Sequence, residues 1–209
     1  MATLKRTVDP TLEPVSLAEQ MAHGRITDTN EGSLIEGYIK AARVRCENRI
    51  GQTFVTSTWV KQTDRFPTST RLNPHAAIWL DRPPLQSVTS IAYIATDGTS
   101  TTLASSNYTV NTNGMPGFVT PAYNHSWPTA RFVPNAVTVT YLAGYGGAGA
   151  SATTSVIAVP EPAKTAIKVL AQHLFQERDT NAATPQAIDD LLSTVDHGSY
   201  RIAVPEDFL

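Results

Sequence analysis

Five histidines, a single cysteine and one glycine-rich stretch are the residues from which chemistry could be built in this chain of 209 residues. His23, His75, His125, His173 and His197 are scattered, without the clustered ligand set that a zinc site requires, so no metal is expected. Cys46 falls on the apolar stripe of a helical segment. A nucleophilic thiol wants an exposed, electropositive pocket; a small buried hydrophobe wants the place this residue has. With one cysteine no intrachain disulfide can form. The run Gly144-Tyr-Gly146-Gly-Ala-Gly149 matches the dinucleotide pattern G-x-G-x-x-G and follows a strand pattern. That pattern works only where a helix opens at once and turns its N-terminus to the pyrophosphate. Here about ten residues of Ser, Thr, Ala and Val intervene, no strand–helix series surrounds the run, and no Gly-Lys-Ser/Thr follows it. It reads as a connector, and no cofactor is expected.

The remaining candidates are equally bland. Asp189-Asp190 and Glu161 lie at helix ends and on exposed faces, with nothing to set one carboxyl apart as an acid and another as a base. Arg43, Arg45 and Arg49 could form a basic strip, but Glu36 and Glu47 interleave with it, and a solvated, salt-bridged face is the simpler reading. Trp59, Trp79 and Trp127 could offer stacking platforms; core or interface packing explains them as well. Catalysis finds no foothold, and the chain is read as a non-enzyme.

The elements that hold these residues change period twice. Residues 1–14 lack periodicity and read as an arm. Ser16-Leu-Ala-Glu19 is a capping-box pattern opening a short helix to about Gly24. A longer helix, about 31–50, follows N-cap candidates Asp28, Thr29 and Asn30. Its stripe is Ile35, Ile39, Ala42, Cys46 and Ile50, and Gly51 suits its end. From Thr53 the composition turns to Thr, Val, Phe and Trp. Strands are expected at 53–66, 76–80, 87–95, 99–103, 108–111, 117–120 and 135–143, with turns at Asp97-Gly98 and Asn113-Gly114. The 87–95 strand carries apolar residues on both faces by simple alternation: Val88, Ala92 and Ile94 on one, Ile91 and Tyr93 on the other. Pro83-Pro84 stands directly before it as a stiff elbow that cannot donate to a ladder. Pro160 or Pro162 starts a helix to about Arg178, striped by Ala163, Ile167, Leu170, Ala171, Leu174 and Phe175; a short helix covers about 185–195.

A block of strands between helices argues for α+β, a small helical bundle from the N- and C-terminal helices with an inserted antiparallel β domain. The expected division is an arm at 1–14, a helical domain from 15–52 and 160–195, a β domain at 53–143, a connector at 144–159 and a tail at 196–209. The net charge of −2 supplies no positive excess for tight nucleic-acid binding. No apolar run reaches the length of a membrane span, and the N-terminus lacks a signal-peptide stretch, so an intracellular chain is expected, with the sequons at Asn107 and Asn124 read as chance. The apolar tail, the arm and a two-faced strand are surfaces of the kind that other subunits bury.

Several stretches in order resemble one family. They are Pro14-Val-Ser-Leu-Ala-Glu19, the segment from Leu34 to Arg43 with Gly51, Leu80-Asp-Arg-Pro-Pro-Leu-Gln-Ser-Val88, the segment from Tyr108 to Gly117, Ser126-Trp-Pro128, the segment from Asn135 to Gly146, Ile167 to Arg178, and Ile188-Asp-Asp-Leu-Leu192. Together they resemble the head–tail connector (adaptor, or head-completion) proteins of long-tailed bacteriophages and prophages, in the subgroup with an inserted β domain. The chain departs from the pattern at Gly24, where leucine is usual, and between Leu192 and Tyr200, which looks extended. The resemblance implies a cyclic homo-oligomer, usually of twelve copies, in the virion neck. Such a ring joins the portal to the stopper or tail-completion protein and continues the DNA channel without binding DNA specifically. Its subunits pass through the host cytoplasm during assembly. On this reading Tyr200, Arg201, Ile202, Val204, Phe208 and Leu209 would dock the portal, Pro83, Pro84, Ile91 and Tyr93 would touch neighbouring subunits, and Lys40, Arg43 and Glu47 would face the channel. The alternative from another class is a β-rich carbohydrate- or ligand-binding module of a virion or cell surface, with Trp79 and Trp127 stacking on a sugar.

Overall fold

The structure, a computed structural model, describes residues 2–146, 159–177 and 185–195. These fall into two compact units, one holding residues 2–9 and 56–144 and the other residues 10–55, 145–146, 159–177 and 185–195. The first is all β, the second helical, so the chain is α+β.

In the helical unit the end signals work as the sequence predicts. Helix α1 (Leu17–Gly24) begins with a complete capping box: the Glu19 amide donates to Ser16 Oγ at 3.2 Å, and the Ser16 amide donates to Glu19 Oε2 at 2.8 Å. Those bonds from Ser16, backbone first, hold the Glu19 carboxyl below its ordinary value. A single 3-10 turn capped by Asp28 leads into α2 (Gly32–Ile50), which stops at Gly51 in the left-handed region, φ 69°. Helices α3 (Glu161–Glu177) and α4 (Gln186–Ser193) complete the unit. Ile35, Ile39, Ala42 and Cys46 from α2 meet Ala163, Ala166, Ile167, Leu170 and Leu174 from α3, with Ile188 and Leu192 from α4, in one core. The alanines on α3 give it a smooth face for close approach to α2.

The β unit has two antiparallel sheets. A five-stranded sheet runs in the order β1 (Ala2–Val8), β2 (Ser57–Thr63), β8 (Val137–Ala143), β4 (Leu85–Ile94), β5 (Ser100–Thr102). A three-stranded sheet has the order β3 (Ile78–Trp79), β7 (Phe118–Pro121), β6 (Tyr108–Asn111). The strand β1 is a finding, since the first residues carry no obvious period: Ala2 to Val8 pair with Thr63 to Thr58 along the sheet edge. One core lies between the sheets, built on the clean alternation of β8, whose Val137, Val139, Tyr141 and Ala143 all point inward. Ile78 and Val119 reach it from the smaller sheet.

Strand β4 overturns the two-faced reading. Its register against β8 slips by one residue after Leu85 and again after Val88, so Leu85, Val88, Ile91 and Tyr93 stand opposite Ala143, Tyr141, Val139 and Val137. Each slip inserts an extra residue and repeats the inward orientation that a regular strand would have reversed. Val88 therefore joins Leu85, Ile91 and Tyr93 on one face, Ile94 stays on the other, and Ile91 is fully buried in the unit's own core.

Candidate interaction surfaces

Cys46 and the start of the glycine-rich run are built into the structure. Cys46 is 1 % exposed, and burial first, then the Glu47 charge, pushes its thiol up to about 12. Such a thiol is neutral at physiological pH and packs as an apolar group. Among the described residues no three of His, Cys, Asp and Glu gather in a way that could hold a metal ion, and no helix is long and apolar enough to cross a membrane. Gly144 and Tyr145 are tied down: the Gly144 amide donates to Pro84 O, the Tyr145 amide to Phe54 O, and the Tyr145 hydroxyl to Gln52 Oε1. Burial raises the Tyr145 hydroxyl above its ordinary value, as suits a donor.

Arg43 and Glu47 correct the expectation of a channel-facing helix and of a solvated arginine strip. Both side chains have zero exposure within a single chain. The Arg43 guanidinium donates to both oxygens of Glu13, at 2.6 and 3.2 Å, and to Glu47 at 2.9 Å; Glu47 in turn accepts the Phe54 amide at 2.8 Å. Burial weakens the cation, and the bonds to Glu13 and Glu47 outweigh that, so Arg43 is held charged more firmly than a free arginine. This hub fastens to α2 the segment before α1 and the segment that leaves α2. Of the three positions expected to face a channel only Lys40 is exposed, along with Arg45 and Arg49, the last bonded to Asp189 at 2.6 Å.

The elbow is likewise drawn into the structure. Pro83 is half-buried and Pro84 buried, the peptide between them is cis, and the Pro84 carbonyl accepts the Gly144 amide. Its approach is pinned by Asp81, whose carbonyl accepts the Tyr141 hydroxyl at 2.9 Å and whose carboxylate takes Lys61 at 2.8 Å. Lys61 stands on the inner face opposite Val139 and ends on the Trp79 carbonyl as well, so its charge leaves the core satisfied. The elbow sets the start of β4, which pairs with β8 from Leu85 onward and with β5 only from Ala92 to Ile94. Ile91 and Pro84 are withdrawn as neighbour contacts by burial; Pro83 and Tyr93 keep part of their surface. Tyr200, Arg201, Ile202, Val204, Phe208 and Leu209 lie outside the described residues.

The tryptophans pack. Trp59 is buried with the guanidiniums of Arg6 and Arg82 over its ring at 4.8 and 5.2 Å. Trp79 tilts against Phe118, and Trp127 lies flat on Phe66 with centroids 5.0 Å apart while its ring nitrogen donates to Ala76 O at 2.7 Å.

What the sequence reading missed is on the loops of the β unit. Tyr123, Phe132 and Leu72 are 91, 87 and 75 % exposed, the three barest large apolar side chains among the described residues. They sit on or beside the two segments, 65–76 and 120–130, that enclose an open groove of about 660 Å³. The available signal was proline: Pro67, Pro74, Pro121 and Pro128 all line it. Prolines with an aromatic outside any alternating pattern mark a rigid, presented loop.

No family model and no curated protein sequence matches the chain. Solved structures do. A chain of the virion of a native gene transfer agent particle aligns at 18 % identity with a TM-score of 0.71, covering 92 % of this chain and 94 % of that one. A chain from the neck of the empty particle, computed with C6 symmetry, gives 17 % and 0.68, over 92 % of this chain and 94 % of that one. One from the neck of the native particle, computed with C12 symmetry, gives 17 % and 0.65, over 92 and 93 %. At these identities the likeness is one of fold, and it spans both units.

Proposed function

We propose that this chain is a structural virion protein of the neck, an adaptor that forms a ring between the portal and the stopper or tail and continues the DNA channel. The observation that carries it is the alignment of nearly the whole of both chains with virion and neck components of a phage-like particle, at TM-scores of 0.65 to 0.71. Coverage above nine-tenths of each partner means that the helical and β units are matched together, which a chance likeness of one common layer would not give. The C12 and C6 symmetries of those neck structures support a cyclic homo-oligomer. A net charge of −2 suits a conduit that DNA must traverse without sticking. In this reading Lys40 faces the lumen, Pro83 and Tyr93 meet neighbouring subunits, and the segment from Tyr200 to Leu209 docks the portal. The work is assembly, with no bond-making step assigned to any residue.

Light scattering after size exclusion, alone and with purified portal, tests the proposal. A defined portal-bound ring is expected; a strict monomer that ignores portal overturns it. The sugar-binding alternative gains nothing from Trp79 and Trp127, whose rings are engaged with Phe118 and Phe66.

A further inference from the structure

The groove between residues 65–76 and 120–130 has a chemistry of its own. Its apolar part is Pro67, Pro74 and Trp127 over the buried Phe66; its polar part includes Arg65, His75 and His125, and no carboxylate lines it. The floor is rigid, since Trp127 is held by its stack and by the bond to Ala76 O. Proline- and aromatic-lined grooves take extended, proline-bearing peptides, and a one-signed rim selects peptides of opposite charge.

One segment of the sequence has the complementary chemistry. Residues 203–209 read Ala-Val-Pro-Glu-Asp-Phe-Leu: two adjacent carboxylates, Pro205 and Phe208 on either side of them, and no Lys or Arg. We propose that in the free subunit residues 203–209 occupy this groove of the same polypeptide, with Pro205 and Phe208 on the proline–tryptophan wall and Glu206 and Asp207 beside Arg65 and the histidines. The tail is thereby stored, the proline–tryptophan wall is covered, and a partner that takes the tail must first draw it off. Its apparent affinity for that partner is lowered by the fraction of time the tail is free. The storage site does not depend on the neck reading.

The test is a disulfide trap in the full chain carrying Ser126→Cys and Leu209→Cys; Cys46 is buried and stays out of the exchange. Mild oxidation should give a monomer-sized, reductant-sensitive species of raised gel mobility. Arg65→Glu, or His125→Glu as a second variant, should lower its yield about tenfold by setting like charges together, and Glu206→Lys with Asp207→Lys should restore it in the Arg65→Glu background. No trapped species, a species only of dimer size, or a yield indifferent to these charges overturns the proposal. A dimer-sized product would mean that the tail crosses to another copy. Light scattering of the same samples reports assembly separately, so a failed trap in a chain that still forms rings leaves the neck reading standing.

Discussion

Arg43 gathers two carboxylates, Glu13 and Glu47, in the interior of the helical unit, and its replacement has a defined consequence. A buried guanidinium with three carboxylate bonds is costly to remove, because Glu47, also without exposure, loses the cation that its charge faces. Arg43→Met should lower stability by about 3–5 kcal/mol in urea unfolding. Glu13→Gln should cost less, because a quarter of the Glu13 side chain is in water. Ser16→Ala removes the α1 cap and should cost about 1 kcal/mol near neutral pH. The Glu19 half of that box is pH-dependent. Its folded carboxyl titrates below the ordinary 4.5, so its contribution is complete above that value and fades as pH falls through the lower, folded one. The difference between wild type and Glu19→Gln should therefore be largest near neutrality and vanish in strong acid. Cys46, held up to about 12, should stay unlabelled by maleimide until the chain unfolds.

At the scale of elements, the two slips in β4 decide which residues form the core. Ile91→Ala should cost about 2–5 kcal/mol, because Ile91 has no exposure and its neighbours are fixed by two ladders. Ile94→Ala, half-buried and outside the core cluster, should cost under about 1 kcal/mol. Gly117, just before β7, lies close against Leu85 of β4: a Cβ there would lie 2.5 Å from the Leu85 Cβ and 3.0 Å from the Asn111 carbonyl. Neither can swing aside, since one is the root of a side chain and the other backbone, so Gly117→Ala should destabilise the β unit by about 1–3 kcal/mol. Thermal melts of the three variants, read by near-ultraviolet circular dichroism of the tryptophans, check the order.

For the whole molecule, the proposed neck role and the proposed tail store meet in one truncation. Removing residues 196–209 should leave the two cores intact, because residues up to Val195 already supply two closed sets of buried apolar side chains. It should abolish co-elution with portal and raise self-association, since the apolar wall of Pro67, Pro74 and Trp127 would then be permanently bare. Normal portal binding by the truncated chain would remove the tail from the docking proposal. Unaltered self-association would count against the store.

Local signals were legible because their physics is local. The capping box at Ser16, the end of α2 at Gly51, the apolar stripes of α2 and α3 and the alternation of β8 each rest on neighbours within a turn or a pleat, and so does the α+β order. The pairing of Ala2–Val8 was hidden because an edge strand with one half-covered face has no strong period. The inward turn of both Val88 and Ile91 depends on extra residues that only the partner strand reveals. Arg43 and Glu47 looked like surface charges because the groups that bury them, Glu13 and the Phe54 amide, come from outside the helix. The groove is likewise made by two loops about fifty residues apart. The sequence by itself determined most of the elements and their order along the chain. Tertiary structure alone decided which charges are buried and which apolar residues are left outside, because burial belongs to pairs of distant segments and is written in neither one.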